Sequence, residues 1–249
     1  MGLEFYASLP VTFAILLLEL IAGTGLAMLF VEYRLEVGRG FLQFMAASAS
    51  AVLFIVVSVT EGEIRPLAIA ATIAALVVLL AAVRDAPVLR RAATALYSLL
   101  AGGAALGGLA ALTGAVTPVG VVSMFGASVS LGASMTGMLL GHWYLVSPML
   151  SSDPLLRLTG MLIGGLTLQI ALIGWFGAAG PAPESLPLVL WMRVAFGLVL
   201  PGAMVGFVWY ACRTRAMRTA TGILYLAAGS ILMGDVTAKA YLVLTKVPI

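Results

Sequence analysis

Four charged side chains of this 249-residue chain stand inside otherwise apolar stretches: Glu19, Arg193, Asp235 and Lys239. A charge in hydrocarbon is costly enough that such residues turn toward the bundle interior and pair. Here two carboxylates and two cations cancel formally. Asp235 and Lys239 are four apart and share a helix face, and Gln169 offers an amide at similar depth. The chemistry open to this set is proton handling by Glu19 and Asp235, with Arg193 and Lys239 as charge partners or ligand anchors. The plainer alternative is an ion-pair network that fixes helix register. Lys239, near a span end, can also snorkel outward along its stem.

The remaining reactive residues are few. His142, Trp143 and Tyr144 fall together at one span end, and an interfacial aromatic belt accounts for them. The alternative for the imidazole is contact with a headgroup, quinone or pigment. One histidine and one cysteine, Cys212, exclude a self-contained bis-histidine haem, an iron-sulfur cluster, a three-histidine zinc site or a disulfide framework. Met135, Met138, Met149 and Met161 lack the regular spacing of a soft-metal site and read as core filling.

These residues must be positioned by membrane helices. The chain is 62% apolar and 9% charged, against roughly a quarter charged in soluble domains. Eight stretches meet the length a span requires, at 11–31, 41–59, 67–83, 93–112, 118–145, 155–176, 188–210 and 219–244. The third is the shortest and is open to a re-entrant reading. The expectation is a single all-α domain over 1–249, a polytopic helix bundle with short loops. Segment 1–10 has no Lys or Arg and carries Glu4, so no cleavable signal peptide is expected.

The arginines orient the bundle. Loops after spans one, three, five and seven hold nine cations: Arg34, Arg39, Arg84, Arg90, Arg91, Arg157, Arg213, Arg215 and Arg218. The other side holds two, Arg65 and Lys246. Positive charge marks the cytoplasmic side, so both termini are expected outside a bacterial inner membrane. The charged set then lies at middle to outer depth. With the arginines explained by topology, the pI near 9.2 does not point to nucleic acid.

Small residues predict close helix approach. Gly103 and Gly107 in span four, and Gly160 and Gly164 in span six, form G-x-x-x-G pairs. Span five places Ser123, Ala127, Ser130, Ser134, Gly137 and Gly141 along one stripe. The alternative to packing is a smooth groove for a flat cofactor, lipid tail or quinone. Connections such as Arg84-Asp85-Ala86-Pro87 and Gly180-Pro181-Ala182-Pro183 are short, and no motif recurs between the halves.

Asp235-Val236-Thr237-Ala238-Lys239 resembles the last-helix motif of microbial rhodopsins. That resemblance implies retinal bound to Lys239 as a Schiff base, with Asp235 in the counterion. It covers five residues. The family has seven spans and a cytoplasmic C-terminus, and its third-helix Asp-Trp pattern has only His142-Trp143 and Ser147-Pro148 as an echo.

The functional expectation is a membrane subunit of a larger complex, with an intramembrane polar cluster for quinone, lipid or protons. Its partners would be membrane lipid and other subunits or further copies of the chain. A self-sufficient ion- or proton-coupled transporter or channel is the alternative, and a retinal protein the lesser one. Catalysis by the chain alone is not expected.

Overall fold

The computed structural model describes residues 2–32, 37–147, 150–179 and 187–248, the side chains of 2–7, 176–179 and 187 aside. Arg34, Pro148, Met149, the 180–183 connection and the side chain of Glu4 lie outside the described residues.

Every described element is a helix: α1 (Gly2–Glu32), α2 (Arg39–Val59), α3 (Ile64–Val83), α4 (Pro87–Thr113), α5 (Pro118–Val146), α6 (Asp153–Ala179), α7 (Pro187–Val194), α8 (Leu200–Arg213) and α9 (Met217–Thr245). A π turn, Ala195–Val199, joins α7 to α8, so the two make one span. Eight spans are long and apolar enough to cross a membrane, and the chain is a multi-pass membrane protein. The third is an unbroken helix of 20 residues, because it starts three residues before the expected boundary, at Ile64.

The helix ends follow local chemistry. Pro87 and Pro118 open α4 and α5, where a missing N–H costs nothing. Thr117 Oγ1 accepts the Gly120 N–H at 3.1 Å. The α3–α4 and α8–α9 turns are built alike. Asp85 (φ 55°) and Arg215 (φ 57°) take left-handed backbone, and the next N–H returns five residues, Ala86 to Ala81 and Ala216 to Ala211.

That likeness extends to the packing. In the first half α1 packs on α2 and α4, and α3 on the same two. In the second, α5 packs on α6 and α9, and α8 on the same two. Two rings of four spans therefore meet, chiefly along α1 and α5. The most apolar windows of α1 and α5 are each 72% buried, against 28–50% for the other spans, which makes these two the interior helices.

Their meeting point is Gly23 with Gly132 and Ser128, where a Cβ on either glycine would overlap backbone of the other helix. The whole small-residue stripe of α5 is buried. The two G-x-x-x-G pairs are not where helices touch. Gly103, Gly107 and Gly164 face open space, and only Gly160 has a neighbour, Trp209, at 4.0 Å. Gly103 and Gly164 instead border shallow apolar clefts on either side of the α1–α5 seam. Trp175, Trp191 and Tyr210 are exposed on the bundle surface.

Candidate functional site

The site begins with the π turn. Leu200 N–H bonds to Ala195 O, one residue beyond the α register, and Pro201 follows with no N–H to restore it. Phe196 O is thereby left over, and Ser230 Oγ of α9 donates to it at 2.5 Å. This contact draws α9 against the turn, where Gly197 and Gly234 bring the two backbones together. The space their missing side chains leave is taken by Arg193. A Cβ on Gly197 would lie 2.6 Å from Arg193 Nη1, and one on Gly234 would lie 3.3 Å from it.

Arg193 is among the most buried large side chains of the chain. Its Nη2 donates to Gln169 Oε1 of α6. The Gln169 amide then donates to Ser130 Oγ at 2.6 Å and to Gly126 O at 3.0 Å, both on α5. The approach at Gly126 is tight, since a Cβ there would lie 3.0 Å from Gln169 Cγ.

One residue past Gly234, Asp235 faces inward, and Lys239 follows on the same face. Lys239 Nζ donates to Glu19 Oε1 at 2.9 Å and to Asp235 Oδ1 at 3.2 Å, and lies 2.7 Å from Glu19 Oε2. All three side chains are buried. Lys239 therefore turns into the bundle and does not snorkel outward, in keeping with the tilt of helical side chains toward their own N-terminus. The Arg193 guanidinium is within electrostatic reach of both carboxylates. Glu19, Gln169, Arg193, Asp235 and Lys239 thus form one cluster, formally neutral, supplied by α1, α6, α7 and α9.

Three polar atoms in it remain incompletely satisfied. Arg193 Nε, Asp235 Oδ2 and Glu19 Oε2 make no aligned hydrogen bond with described residues. Chemically the arrangement is a cation shared by two carboxylates, with a second cation braced by an amide beside them.

No protein-family model matches this chain, and neither a curated protein nor a solved structure does.

The His142 group is not part of the cluster. His142 is exposed, Trp143 packs at 6.0 Å on Phe41 of α2, and Tyr144 is buried with its hydroxyl on Ser151 O at 2.5 Å. These contacts lie at the arginine-rich end, away from Lys239.

Two things escaped the sequence. Ser130 and Gly126 join the cluster through Gln169, and the place of Ser130 on the small-residue stripe was the available sign. At the other end Glu32 and Arg90 form a buried ion pair at 2.5 Å. Its sign was Pro87, a helix starter that puts Arg90 in the first turn of α4 instead of a loop.

Proposed function

We propose that this protein is a subunit of a bacterial inner-membrane complex, with both termini extracytoplasmic. On this reading its buried cluster takes up and returns a proton on behalf of partner subunits that carry a quinone or lipid substrate. The observation that carries the reading is Lys239 shared between Glu19 and Asp235. A proton placed on either carboxylate leaves Lys239 paired with the other. It can pass between α1 and α9 while Lys239 keeps a carboxylate partner, which a single ion pair does not allow. Intramembrane ionisable groups in such company mark proton or ligand paths. Orientation rests on the nine-to-two distribution of arginine and lysine between the two ends.

The test is gentle purification from native membranes, followed by mass spectrometry and absorption spectroscopy. Other subunits and quinone should travel with the chain, and proton release coupled to turnover should be lost in Glu19→Gln and Asp235→Asn. A chain that purifies alone, and whose two carboxylates exchange no proton by infrared spectroscopy, would overturn the reading.

A self-sufficient proton-coupled transporter is the second reading. It is favoured by the two like rings of four helices meeting at the α1–α5 seam beside Glu19, since paired halves commonly rock about a central site. Proton-driven uptake by the chain alone in liposomes distinguishes it. A pigment bleached by hydroxylamine would point instead to retinal on Lys239.

A further inference from the structure

The arginine-rich end holds a second buried ionic group, which the proton reading does not use. Glu32, the last residue of α1, is 5% exposed, and Arg90 is 7% exposed. Glu32 Oε1 accepts from Arg90 Nη2 at 2.5 Å, Arg90 Nε at 3.0 Å and Arg91 Nε at 3.2 Å. Arg91 Nη2 also donates to the Glu32 carbonyl at 3.3 Å, closing one of the open acceptors at the end of α1. Three donors crowd one carboxylate oxygen. The other, Oε2, is buried and accepts from no described residue.

Nearby, Arg39 at the start of α2 pairs with Asp85 in the α3–α4 turn. The two ion pairs border one cavity of about 600 Å³, lined by Glu32, Gly38, Arg39, Asp85, Arg90 and Arg91 among others. That volume falls in the range of small-molecule sites. Among the described residues that line it, three guanidinium groups against two carboxylates leave one positive charge in excess. The Arg39 and Arg91 side chains are 64% and 47% exposed, so their remaining N–H groups are accessible.

A structural tie among the described residues needs neither the surplus cation nor the oxygen that lacks a described partner. A simple anion would answer the arginines but would meet Glu32 Oε2 with like charge. A ligand with a phosphate and a primary ammonium joined by a short link answers both. We infer that this cavity binds a phosphoethanolamine group, its phosphate on Arg39 and Arg91 and its ammonium donating to Glu32 Oε2. Guanidinium forks suit phosphate oxygens, and charge-assisted hydrogen bonds are the strong ones. The source is either the headgroup of a bilayer lipid, whose depth the helix ends share, or a soluble phosphoethanolamine ester.

The test compares phosphoethanolamine with phosphocholine, which keeps the phosphate but has a fully methylated nitrogen with no N–H. The full-length protein is placed in nanodiscs of mixed phosphatidylethanolamine and phosphatidylcholine, and retained lipid is counted by native mass spectrometry. Wild type should favour phosphatidylethanolamine about tenfold, the worth of one charge-assisted hydrogen bond. Glu32→Gln should bring the preference near parity. Because Glu32→Gln also breaks a buried ion pair, Arg39→Gln is the second variant. It should lower retention of both lipids while keeping the preference.

In a parallel arm, soluble phosphoethanolamine and phosphocholine are titrated against fluorescence of Trp143, which stands beside Gly38 and Gly40 at the cavity rim. Lipid preference without a soluble effect assigns the site to a headgroup. The same preference for the soluble ester assigns it to a free ligand. Equal retention of both lipids by wild type, with no soluble binding, overturns the proposal, as does an Arg39→Gln variant that retains lipid like wild type.

Discussion

Lys239 Nζ lies 2.9 Å from Glu19 Oε1, a contact that joins residues 220 positions apart and ties the last span to the first. Because both partners are buried, removing one strands the other. Lys239→Met leaves two carboxylates facing each other without their shared cation, and should cost about 3–5 kcal/mol. Adding Glu19→Gln removes one of them and should recover part of the loss. Thermal unfolding of the two single variants and the double variant in detergent reads the coupling. Strict additivity would mean that the two side chains do not interact.

The α1–α5 seam makes a contrasting prediction about glycines. A Cβ at Gly23 or Gly132 meets backbone, which cannot swing aside as a side-chain tip can. Gly23→Ala and Gly132→Ala should each cost about 3 kcal/mol, the upper part of the overpacking range. Gly103→Ala and Gly107→Ala enter open space and should lie within about 0.5 kcal/mol of wild type. Melting temperatures of the four variants decide the matter. Equal loss at all four positions would contradict the packing described.

That contrast also shows where the sequence stops being informative. Span count and type were legible, because an apolar run of membrane length has few other fates. The members of the cluster were legible too, because charge in hydrocarbon is rarely accidental. Which glycines touch was not. Gly103-x-x-x-Gly107 and Gly23 are equally small, and only the rotation of each helix about its axis decides which faces a neighbour. The likeness of the two halves was hidden for a related reason. It resides in neighbour order and in the Asp85 and Arg215 turns, where different residues adopt the same backbone. Arg90 was read as a loop cation because the span boundary was drawn six residues inside the start of α4, and Glu32, one residue past the first expected span, was not singled out.

The π turn rests on one side-chain donor. Ser230 Oγ supplies the hydrogen bond that Phe196 O loses when Leu200 N–H bonds to Ala195. Ser230→Ala leaves that carbonyl unsatisfied and should cost about 1–3 kcal/mol. Ser230→Thr keeps a hydroxyl and should recover most of it. Unfolding in detergent measures both, and an unaffected Ser230→Ala would show that the turn holds without α9.

The last prediction concerns charge balance. Glu19 and Asp235 oppose Lys239 and Arg193, so with both carboxylates ionised the formal charges of the cluster cancel. Arg193→Met leaves it one negative charge in excess, buried where an unpaired carboxylate is costly. The cheaper outcome is for one carboxylate to take a proton and restore neutrality. Infrared spectra of Arg193→Met at neutral pH should therefore show the carbonyl band of a protonated acid that wild type lacks. Adding Asp235→Asn removes one negative charge by substitution, so the band should disappear in the double variant. Arg193→Lys keeps the charge but gives up the planar fork that meets Gln169, so it should lose stability without gaining the band. A folded Arg193→Met protein without the band would mean that Arg193 does not contribute to the balance, and that Lys239 serves both carboxylates alone.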